Sequence, residues 1–387
     1  MFNRRRFLTG ALGVAAITGK SPIFGVSSQN QPPQAGPELD WHDLEEWGVE
    51  GRGWPATEMK RFYDRLPGRA EGVVRQDVWN LSRDSAGMLA RFSTDSTDIH
   101  LDYTLFRDRL ALPHMPATGV SGVDLYGEDS KGLWRWVAVM RPQQRQVKGQ
   151  LINELDGKER RYTIYLPLYN GVDSLRVGIL KGARFSPIKP REEAPIVFYG
   201  TSIVHGACAS RPGMPHPAIL GRRFNRPVIN LGFSGNGRME KDVGTFLAEL
   251  NPAVYVIDCL PNMNAEQVKE RAAPLVVQLR QARPQTPIVL VEDRSFTNAW
   301  IRPSSLAHHR ASRAALRETY EKLSKSGTNG LFYLEGEHLL GDDSEGSTDG
   351  SHPSDLGFMR QADLFEPVLR KALRWGSSHQ ARNVAKS

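Results

Sequence analysis

Cysteine is scarce in this chain, with only Cys208 and Cys259 among 387 residues. One pair cannot build the disulfide framework that holds small secreted domains together. Each cysteine follows the end of a predicted strand by a few residues, so two interpretations stay open. The two form a single disulfide, or they are buried thiols that pack as small hydrophobic side chains. No group of side chains has the convergent spacing of metal ligands, so we expect no metal ion and no cofactor.

The chain also lacks a concentrated run of positive charge outside its first residues. The formal net charge is +7, and four of these charges, Arg4, Arg5, Arg6 and Lys20, lie in the first 28 residues, which contain no acidic residue. The rest of the chain therefore carries +3. Domains that bind nucleic acids present a dense basic face, so we expect no nucleic acid partner.

The apolar stretch near the start is too short to be a permanent membrane anchor. It runs from Gly10 to Thr18 and follows Arg4-Arg5-Arg6-Phe7-Leu8. A basic start before a short apolar core is typical of a secretory signal. Two arginines before x-Phe-Leu resemble the twin-arginine signals that export folded proteins. We predict that residues 1–28 are such a signal and that the protein is exported, to the periplasm or the exterior.

The first half of the chain has the pattern of an antiparallel β-sandwich. Residues 20–37 are rich in Ser, Gln, Pro and Gly, and we predict a linker and entry segment over 29–71. Apolar residues then alternate with polar ones up to residue 190, which predicts sheets with one buried face. The predicted strands are Met88–Ser93, Ile99–Leu105, Val120–Tyr126, Trp134–Met140, Gln150–Leu155, Tyr162–Leu166 and Leu175–Ile179. A β-sandwich domain is therefore predicted over 72–190.

Continuous apolar runs replace this alternation after residue 194. The predicted strands are Ile196–Tyr199, Val228–Leu231, Val254–Ile257, Ile288–Val291 and Leu331–Leu334. The predicted helices between and after them are Met239–Leu250, Ala265–Arg283, Leu306–Ser326 and Ser354–Trp375. Strands buried on both faces that alternate with helices predict a parallel sheet covered on both sides. An α/β domain is therefore predicted over 194–375, followed by a polar tail over 376–387.

Polar groups suited to acyl transfer occur in four segments of the second half: Gly200-Thr201-Ser202, Asn230-Leu231-Gly232, Pro261-Asn262 and Asp349-Gly350-Ser351-His352. The first three follow predicted strands, at the sheet edge where open α/β proteins bind ligands. A hydroxyl is a poor nucleophile until a base takes its proton. Ser202 is the predicted nucleophile, His352 its base and Asp349 the group that orients the imidazole. The N–H groups of Ser202 and Gly232 and the amide of Asn262 are the predicted oxyanion donors.

The four segments resemble, in order, the Ser, Gly, Asn and His blocks of the SGNH (GDSL-like) hydrolase superfamily, over residues 195–375. This resemblance implies a flavodoxin-like three-layer domain and ester hydrolysis without a cofactor. The run Gly122-Val123-Asp124-Leu125-Tyr126 also resembles a β-domain that precedes some bacterial members. Two blocks depart from the family pattern, with Thr201 in place of the Asp of Gly-Asp-Ser and Leu260-Pro261-Asn262-Met263 in place of Gly-x-Asn-Asp. These departures spare the positions with proton-transfer and oxyanion roles, so they bear on substrate preference.

Four further residues are candidate substrate contacts because they are predicted to lie at the same sheet edge as the site: His205, Arg294, Asn298 and Trp300. His205 comes one helical turn after Ser202, and the other three follow the fourth predicted strand of the sheet. The alternative is a packing role for His205 and an ordinary surface loop for the others. Ser234 is a rival nucleophile because it also follows a strand, although Asn236 replaces the last glycine of a G-x-S-x-G elbow.

The leading functional hypothesis is a secreted serine esterase that removes short acyl groups, acetyl above all, from a carbohydrate. Its partner would be a small-molecule or polysaccharide ester. One alternative is a lipase or lysophospholipase, which needs a long apolar lip, whereas the loops 294–303 and 342–351 are polar. The other is a glycan-binding protein on an inactive hydrolase scaffold, against which the intact Ser202, Asp349 and His352 argue. The predicted fold class is α/β, a flavodoxin-like SGNH domain preceded by an antiparallel β-sandwich.

Overall fold

The computed structural model describes residues 36–384, with their side chains described as far as residue 378. The predicted export signal at residues 1–28 lies outside this range. Between residues 36 and 190 the structure has nine strands and three short α-helices: β1 (Leu39–Asp43), α1 (Leu44–Trp47), α2 (Gln76–Ser82), β2 (Leu89–Thr94), β3 (Ile99–Leu105), α3 (Ala117–Val120), β4 (Asp124–Glu128), β5 (Trp134–Val139), β6 (Gln146–Ile152), β7 (Arg160–Tyr165), β8 (Val172–Leu180) and β9 (Phe185–Ile188).

These strands form two antiparallel sheets, ordered β1-β8-β3-β6 and β5-β4-β7-β2-β9. The period-two pattern explains the packing, since alternate residues of β3 are buried and the residues between them are partly exposed. Leu101 and Tyr103 of the first sheet share one core with Phe92, Leu125 and Ile164 of the second. The predicted β-sandwich is therefore confirmed.

The segment predicted as a linker up to residue 71 is folded from β1 onward, so that prediction is wrong for residues 39–71. Strand β1 pairs with β8 along its whole length. Arg65 is only 1% exposed, and its guanidinium donates to the carbonyl oxygens of Asn230 (3.1 Å) and Gly232 (2.7 Å). Apolar side chains of this segment, among them Trp54, Tyr63 and Leu66, are also buried in the hydrophobic cores. They do not recur with a helix or strand period, so the sequence pattern does not reveal that the segment is folded.

The second half alternates strands and helices: β10 (Ile196–Gly200), α4 (Ser202–His205), α5 (His216–Phe224), β11 (Val228–Gly232), α6 (Lys241–Glu249), β12 (Val254–Asp258), α7 (Ala265–Ala282), β13 (Ile288–Val291), α8 (Pro303–Lys325), β14 (Leu331–Leu334) and α9 (Asp355–Val384). The five strands are parallel and ordered β11-β10-β12-β13-β14. This is the doubly wound order of flavodoxin-like folds, in which β10 is the first strand of the sheet along the chain. Proteins with this order bind ligands in a crevice at the carboxyl ends of the strands, next to the first strand. All five strands match the predicted ones to within one residue.

Helices cover both faces of this sheet, which explains why its strands are apolar throughout. Val197 and Tyr199 of β10 share one core with α6, α7 and α8. Ile196 and Phe198 point to the other face and share a second core with α5 and α9. The predicted three-layer α/β domain is thus confirmed. Helix α9 continues past residue 375 to Val384, so the predicted polar tail is helical in its described part.

Candidate active site

Ser202 lies at the carboxyl end of β10, in the middle of the parallel sheet. The strand ends at Gly200, which is in register with Gly232 of β11 and Asp258 of β12. Thr201 then adopts an extended conformation, and its Oγ1 accepts a hydrogen bond from the N–H of Ile203 (3.3 Å), which caps α4. The nucleophile predicted from the sequence therefore lies at a strand–turn–helix junction, and Ser202 is 6% exposed.

The second part of the site is a tight hairpin between Ser347 and Pro353. The N–H of Thr348 donates to the carbonyl of His352 (2.9 Å) across its base. Gly350, at its tip, has φ +91, a left-handed conformation that glycine adopts without steric cost. The carboxylate of Asp349 accepts from the N–H groups of Ser351 (2.9 Å) and His352 (2.8 Å). The Asp-x-x-His spacing thus folds back on itself and brings the two side chains side by side.

The hairpin places His352 between Asp349 and Ser202. His352 Nδ1 lies 2.7 Å from Asp349 Oδ2, and His352 Nε2 lies 2.9 Å from Ser202 Oγ. Burial raises the pKa of Asp349, but the hydrogen bonds from the backbone and side chain of His352 outweigh it and lower the pKa to about 2. An ionised carboxylate holds the proton on Nδ1 and leaves Nε2 free to accept the serine proton.

Asn262 is positioned to donate from its side chain. It ends a 3₁₀ turn over Leu260–Asn262 that directly follows β12 and Cys259. Its Oδ1 accepts from the N–H of Gly237 (3.3 Å), so its Nδ2 group points the other way. No acceptor for that Nδ2 group, or for the N–H of Ser202, is found among residues 36–384. Both groups therefore have donors available for a ligand oxygen.

Gly232 does not fit the predicted oxyanion role. Its N–H already donates to Asn230 Oδ1 (2.9 Å), and the Nδ2 group of Asn230 donates to the carbonyl of Val204 (2.7 Å). A Cβ at position 232 would lie 2.2 Å from the backbone nitrogen of His205. Glycine is therefore required here so that β11 and α4 can pack closely, and the expectation of a free donor is corrected.

His205 is a packing residue and does not line the site. It is fully buried, and its Nε2 donates to the carbonyl of Leu168 (2.7 Å). Its ring stacks on Tyr169 at 4.1 Å. Burial and the nearby Arg65 lower the pKa of His205 well below its usual value. A neutral, enclosed imidazole cannot contact a substrate, so the candidate role is corrected.

Arg294 is likewise buried, at 4% exposure, and contacts the hairpin that carries Asp349 and His352. Its Nε donates to the carbonyl of Ser351 (3.0 Å), and its other nitrogens donate to Ser351 Oγ and to the Asp293 carboxylate. Asp293 also contacts His309 Nδ1 at 2.9 Å. Burial raises the pKa of Asp293, but Arg294 and His309 more than offset it, so the pKa lies below its usual value. Arg294 therefore positions the residue next to His352, and the expected substrate contact is corrected.

The remaining two candidates lie on the loop beside the hairpin. Asn298 is partly buried, and its side chain lies about 3 Å from where a Cβ of Gly350 would be. The N–H of Thr297 donates to the carbonyl of Gly350 (2.9 Å), which joins the loop to the hairpin. Trp300 is 77% exposed and its neighbour Ile301 is 58% exposed. This loop therefore presents two apolar side chains to solvent within four residues of Thr297, its contact with the hairpin.

Two residues of the β-sandwich half also reach the site, and neither was a candidate from the sequence. The hydroxyl of Tyr169 donates to the carbonyl of Ser202 (3.4 Å). The ring of His114 lies 5.9 Å from the ring of His352 in a stacked orientation, and His114 is exposed. Both lie in loops of the first half, so only the folded arrangement of the two halves reveals them.

The two cysteines are both free and both buried. Cys259 Sγ donates to the carbonyl of Tyr199 at 3.6 Å. Cys208 lies close to Asp349 and His352. Burial and the charge of Asp349 raise the pKa of the Cys208 thiol to about 11, which disfavours a thiolate nucleophile. Cys208 and Cys259 therefore do not form a disulfide, and each is a separate buried thiol.

Two family models match this architecture. Residues 193–370 match the GDSL-like lipase/acylhydrolase family, and residues 39–185 match the N-terminal (GxDLY) domain of esterases of the SGNH hydrolase type. No curated protein matches the sequence.

Three solved structures illustrate which proteins this chain is similar to. A GDSL-like lipase from Bacteroides ovatus has a TM-score of 0.82 and 31% identity, covering 87% of this chain and 98% of that one. A salicylyl-acyltransferase from a tetracycline biosynthetic pathway has a TM-score of 0.67 and 16% identity, covering 86% and 97%. A family two carbohydrate esterase from Cellvibrio japonicus has a TM-score of 0.58 and 14% identity, covering 87% and 99%. The last two share the fold only, whereas the family models and the Bacteroides protein show that this chain belongs to the GDSL-like (SGNH) lipase/acylhydrolase family.

Proposed function

We propose that this protein is an exported serine esterase that hydrolyses short acyl esters, acetyl above all, on carbohydrates. The observation that carries the proposal is the continuous line from Ser202 Oγ through the imidazole of His352 to the carboxylate of Asp349. Such a line activates a hydroxyl that is otherwise a weak nucleophile. Membership of a family of lipases and acylhydrolases restricts the reaction to acyl groups.

The chemistry follows from the hydrogen-bond directions. Ser202 Oγ attacks the ester carbonyl while His352 Nε2 takes its proton, and Asp349 stabilises the resulting imidazolium. The oxyanion accepts hydrogen bonds from the N–H of Ser202 and the amide of Asn262. When the intermediate collapses, His352 returns the proton to the leaving alcohol and an acyl-serine remains. Water, deprotonated by the same imidazole, then releases the acid and restores the serine.

The character of the surface near the hairpin favours a sugar ester over a lipid. Exposed Trp300 offers one flat face of the kind that stacks on sugars. The segment 342–345, whose Ser344 hydroxyl donates to the carbonyl of Thr297 on the same loop as Trp300, is acidic and polar. The long apolar lip expected of a lipase is not present in these loops, where the exposed apolar side chains are Trp300 and Ile301. No helix in the described part of the chain has the length and apolarity to cross a membrane. The carbohydrate esterase from Cellvibrio, which shares the fold, also supports a carbohydrate ester as the substrate.

A substrate series tests this proposal directly. Purified protein without residues 1–28 would be assayed for acetate release from a panel of acetylated polysaccharides and for hydrolysis of chromogenic acetyl, butyryl and octanoyl esters. The proposal requires acetate release from at least one polysaccharide and a preference for the shortest ester. A preference for octanoyl esters with no acetate release would support the lipase alternative. No hydrolysis of any ester would support the glycan-binding alternative.

Export by the twin-arginine route is part of the proposal and is supported by Arg4, Arg5, Phe7 and Leu8. Cell fractionation would compare the full chain with an Arg4→Lys, Arg5→Lys double variant in a host that has this pathway. Retention of the variant and export of the unmodified chain is the required result. Equal distribution of both would contradict the twin-arginine assignment.

Removing the donor of Asn262 is expected to lower kcat by ~10²–10³-fold with little change in KM, because a donor aimed at the oxyanion stabilises the transition state more than the bound substrate. Asn262→Asp keeps the acceptor for the N–H of Gly237, replaces the donor with a carboxylate oxygen and adds a negative charge that also opposes the oxyanion. Steady-state kinetics and melting temperature would be measured on Asn262→Ala and Asn262→Asp. Full turnover by Asn262→Asp would show that the amide only holds the loop.

Arg294→Lys is expected to lower kcat by ~10–10²-fold, because small displacements of a catalytic group have effects of this size. The lysine keeps a cation beside Asp293 but cannot contact both Ser351 oxygens as the guanidinium does. Ser351→Ala, which removes only the hydroxyl contact, should show a smaller loss. KM and melting temperature serve as controls for substrate binding and folding. Unchanged kcat in Arg294→Lys would rule out a positioning role.

A further inference from the structure

Cys208 completes a group of three potential metal ligands at the catalytic pair. The ligand atoms of Cys208, Asp349 and His352, one from each side chain, all lie within 4.8 Å of one another. Thiolate, carboxylate and imidazole are the ligands that Zn²⁺ prefers, at 2.0–2.3 Å from the ion. The protonated thiol of Cys208 would release its proton to solvent as it binds the ion. Those bond lengths place tetrahedral ligands about 3.5 Å apart, so a contraction of roughly 1 Å would close the three groups around an ion.

The loop that carries Cys208 is fixed relative to the hairpin. The N–H of Ser210 donates to Asp355 Oδ1 (3.0 Å) at the start of α9, three residues after His352. Thr118 Oγ1 donates to the carbonyl of Ser210 (2.7 Å), which joins the same loop to the β-sandwich half. Cys208 itself has φ +68, a conformation uncommon for a residue with a side chain. The thiol is therefore held beside the pair by the surrounding structure.

We propose that Cys208, Asp349 and His352 form an inhibitory site for Zn²⁺ and similar thiophilic divalent cations. Both imidazole nitrogens are already used, with Nε2 on Ser202 and Nδ1 on Asp349. An ion on Nε2 removes the base from the serine. An ion on Nδ1 replaces the hydrogen bond from Nδ1 to Asp349 and moves the imidazole proton to Nε2, which then cannot accept the serine proton. Coordination and catalysis therefore exclude each other whichever nitrogen binds.

The cysteine determines which ions bind. An Asp–His pair alone offers two ligands, whereas the added sulfur gives the three protein ligands and open fourth position found at many zinc sites. Soft sulfur favours zinc and cobalt over hard cations such as Mg²⁺, which prefer oxygen ligands. The site should therefore respond to zinc at concentrations at which magnesium has no effect.

Inhibition kinetics test this inference. The kinetic test rests on the proposed esterase function. ZnCl₂ would be titrated against hydrolysis of a chromogenic acetate ester by the wild-type protein, Cys208→Ala and Cys208→Ser, with Cys259→Ala as the matched control. Each rate is expressed relative to the same variant without metal. Wild type and Cys259→Ala should be inhibited at the same zinc concentration and recover with EDTA. Both Cys208 variants should need at least ~10-fold more zinc, since even outer partners of a ligand change affinity by that much. Equal sensitivity of all four proteins, or no inhibition of wild type, would overturn the proposal.

A binding measurement keeps the inference independent of activity. Co²⁺ bound to a thiolate gives a sulfur-to-metal charge-transfer absorption in the near ultraviolet. This band should form with wild type and with Ser202→Ala, and should be absent with Cys208→Ala. Its appearance in Ser202→Ala, which lacks the nucleophile, would support the site even if no esterase activity were found. Absence of the band in wild type, or its persistence in Cys208→Ala, would refute it.

Discussion

Replacing Ser202 with alanine is expected to lower kcat/KM for acetate esters by at least ~10³-fold, because the nucleophile of the acyl transfer is lost. The melting temperature should change little. Within the described chain the hydroxyl contacts only His352 Nε2, and the exchange removes a single oxygen atom. Kinetics on a chromogenic acetate ester together with thermal unfolding would measure both effects on one preparation.

Ser234→Ala is the matched control for this result. Ser234 follows β11 at the same sheet edge and was the rival nucleophile. Its side chain contacts the hydroxyl of Tyr169, and the imidazole of His352 contacts Ser202. Ser234→Ala should therefore keep most of the wild-type rate. Substantial activity in Ser202→Ala combined with its loss in Ser234→Ala would reverse the assignment.

Replacing His352 with alanine should reduce the rate about as much as replacing Ser202, since a serine without its base stays protonated. The double variant should be little slower than either single variant, because the two side chains act as one unit. All three would be compared at several pH values. A double variant whose loss equals the product of the single losses would show that the side chains act independently.

The pH profile separates the roles of His352 and Asp349. The pKa of Asp349 is lowered to about 2, so this carboxylate stays ionised above that value and is protonated only as the pH falls through it. Imidazoles ordinarily gain their proton between pH 5 and 8, and a protonated imidazole cannot accept the serine proton. Activity should therefore decline on acidification long before Asp349 is neutralised. Full activity at pH 4 would contradict a histidine base.

The local sequence predicts the fold well wherever periodicity reports burial. Alternation in β3 and continuous apolar runs in β10 follow from one buried face and two buried faces, respectively. The fold of residues 39–71 could not be predicted because their buried apolar residues follow no helix or strand period. Arg65 also anchors the segment by hydrogen bonds to carbonyl groups more than 160 residues away. A charged side chain used in this way leaves no periodic signal in the sequence.

The site was predictable where a residue's role depends on its immediate neighbours. Ser202 at a strand–turn–helix junction and Asp349 three residues before His352 have this character. The role of Arg294 could not be predicted because its contact lies elsewhere in the chain, in the backbone of Ser351. The acceptor for the N–H of Gly232 is only two residues away, in the side chain of Asn230, but the sequence does not show how that amide is oriented. The contribution of the β-sandwich half could not be predicted, since His114 meets His352 only after both halves have folded.

Covalent labelling tests the central claim most directly. A fluorophosphonate reacts with an activated serine and stays attached, so the modified peptide can be identified by mass spectrometry whatever the natural substrate is. One adduct on Ser202 is predicted, absent from Ser202→Ala and strongly slowed in His352→Ala, with ester hydrolysis lost in proportion to labelling. An adduct on Ser234, or hydrolysis that continues in fully labelled protein, would contradict the assignment of Ser202 as the nucleophile.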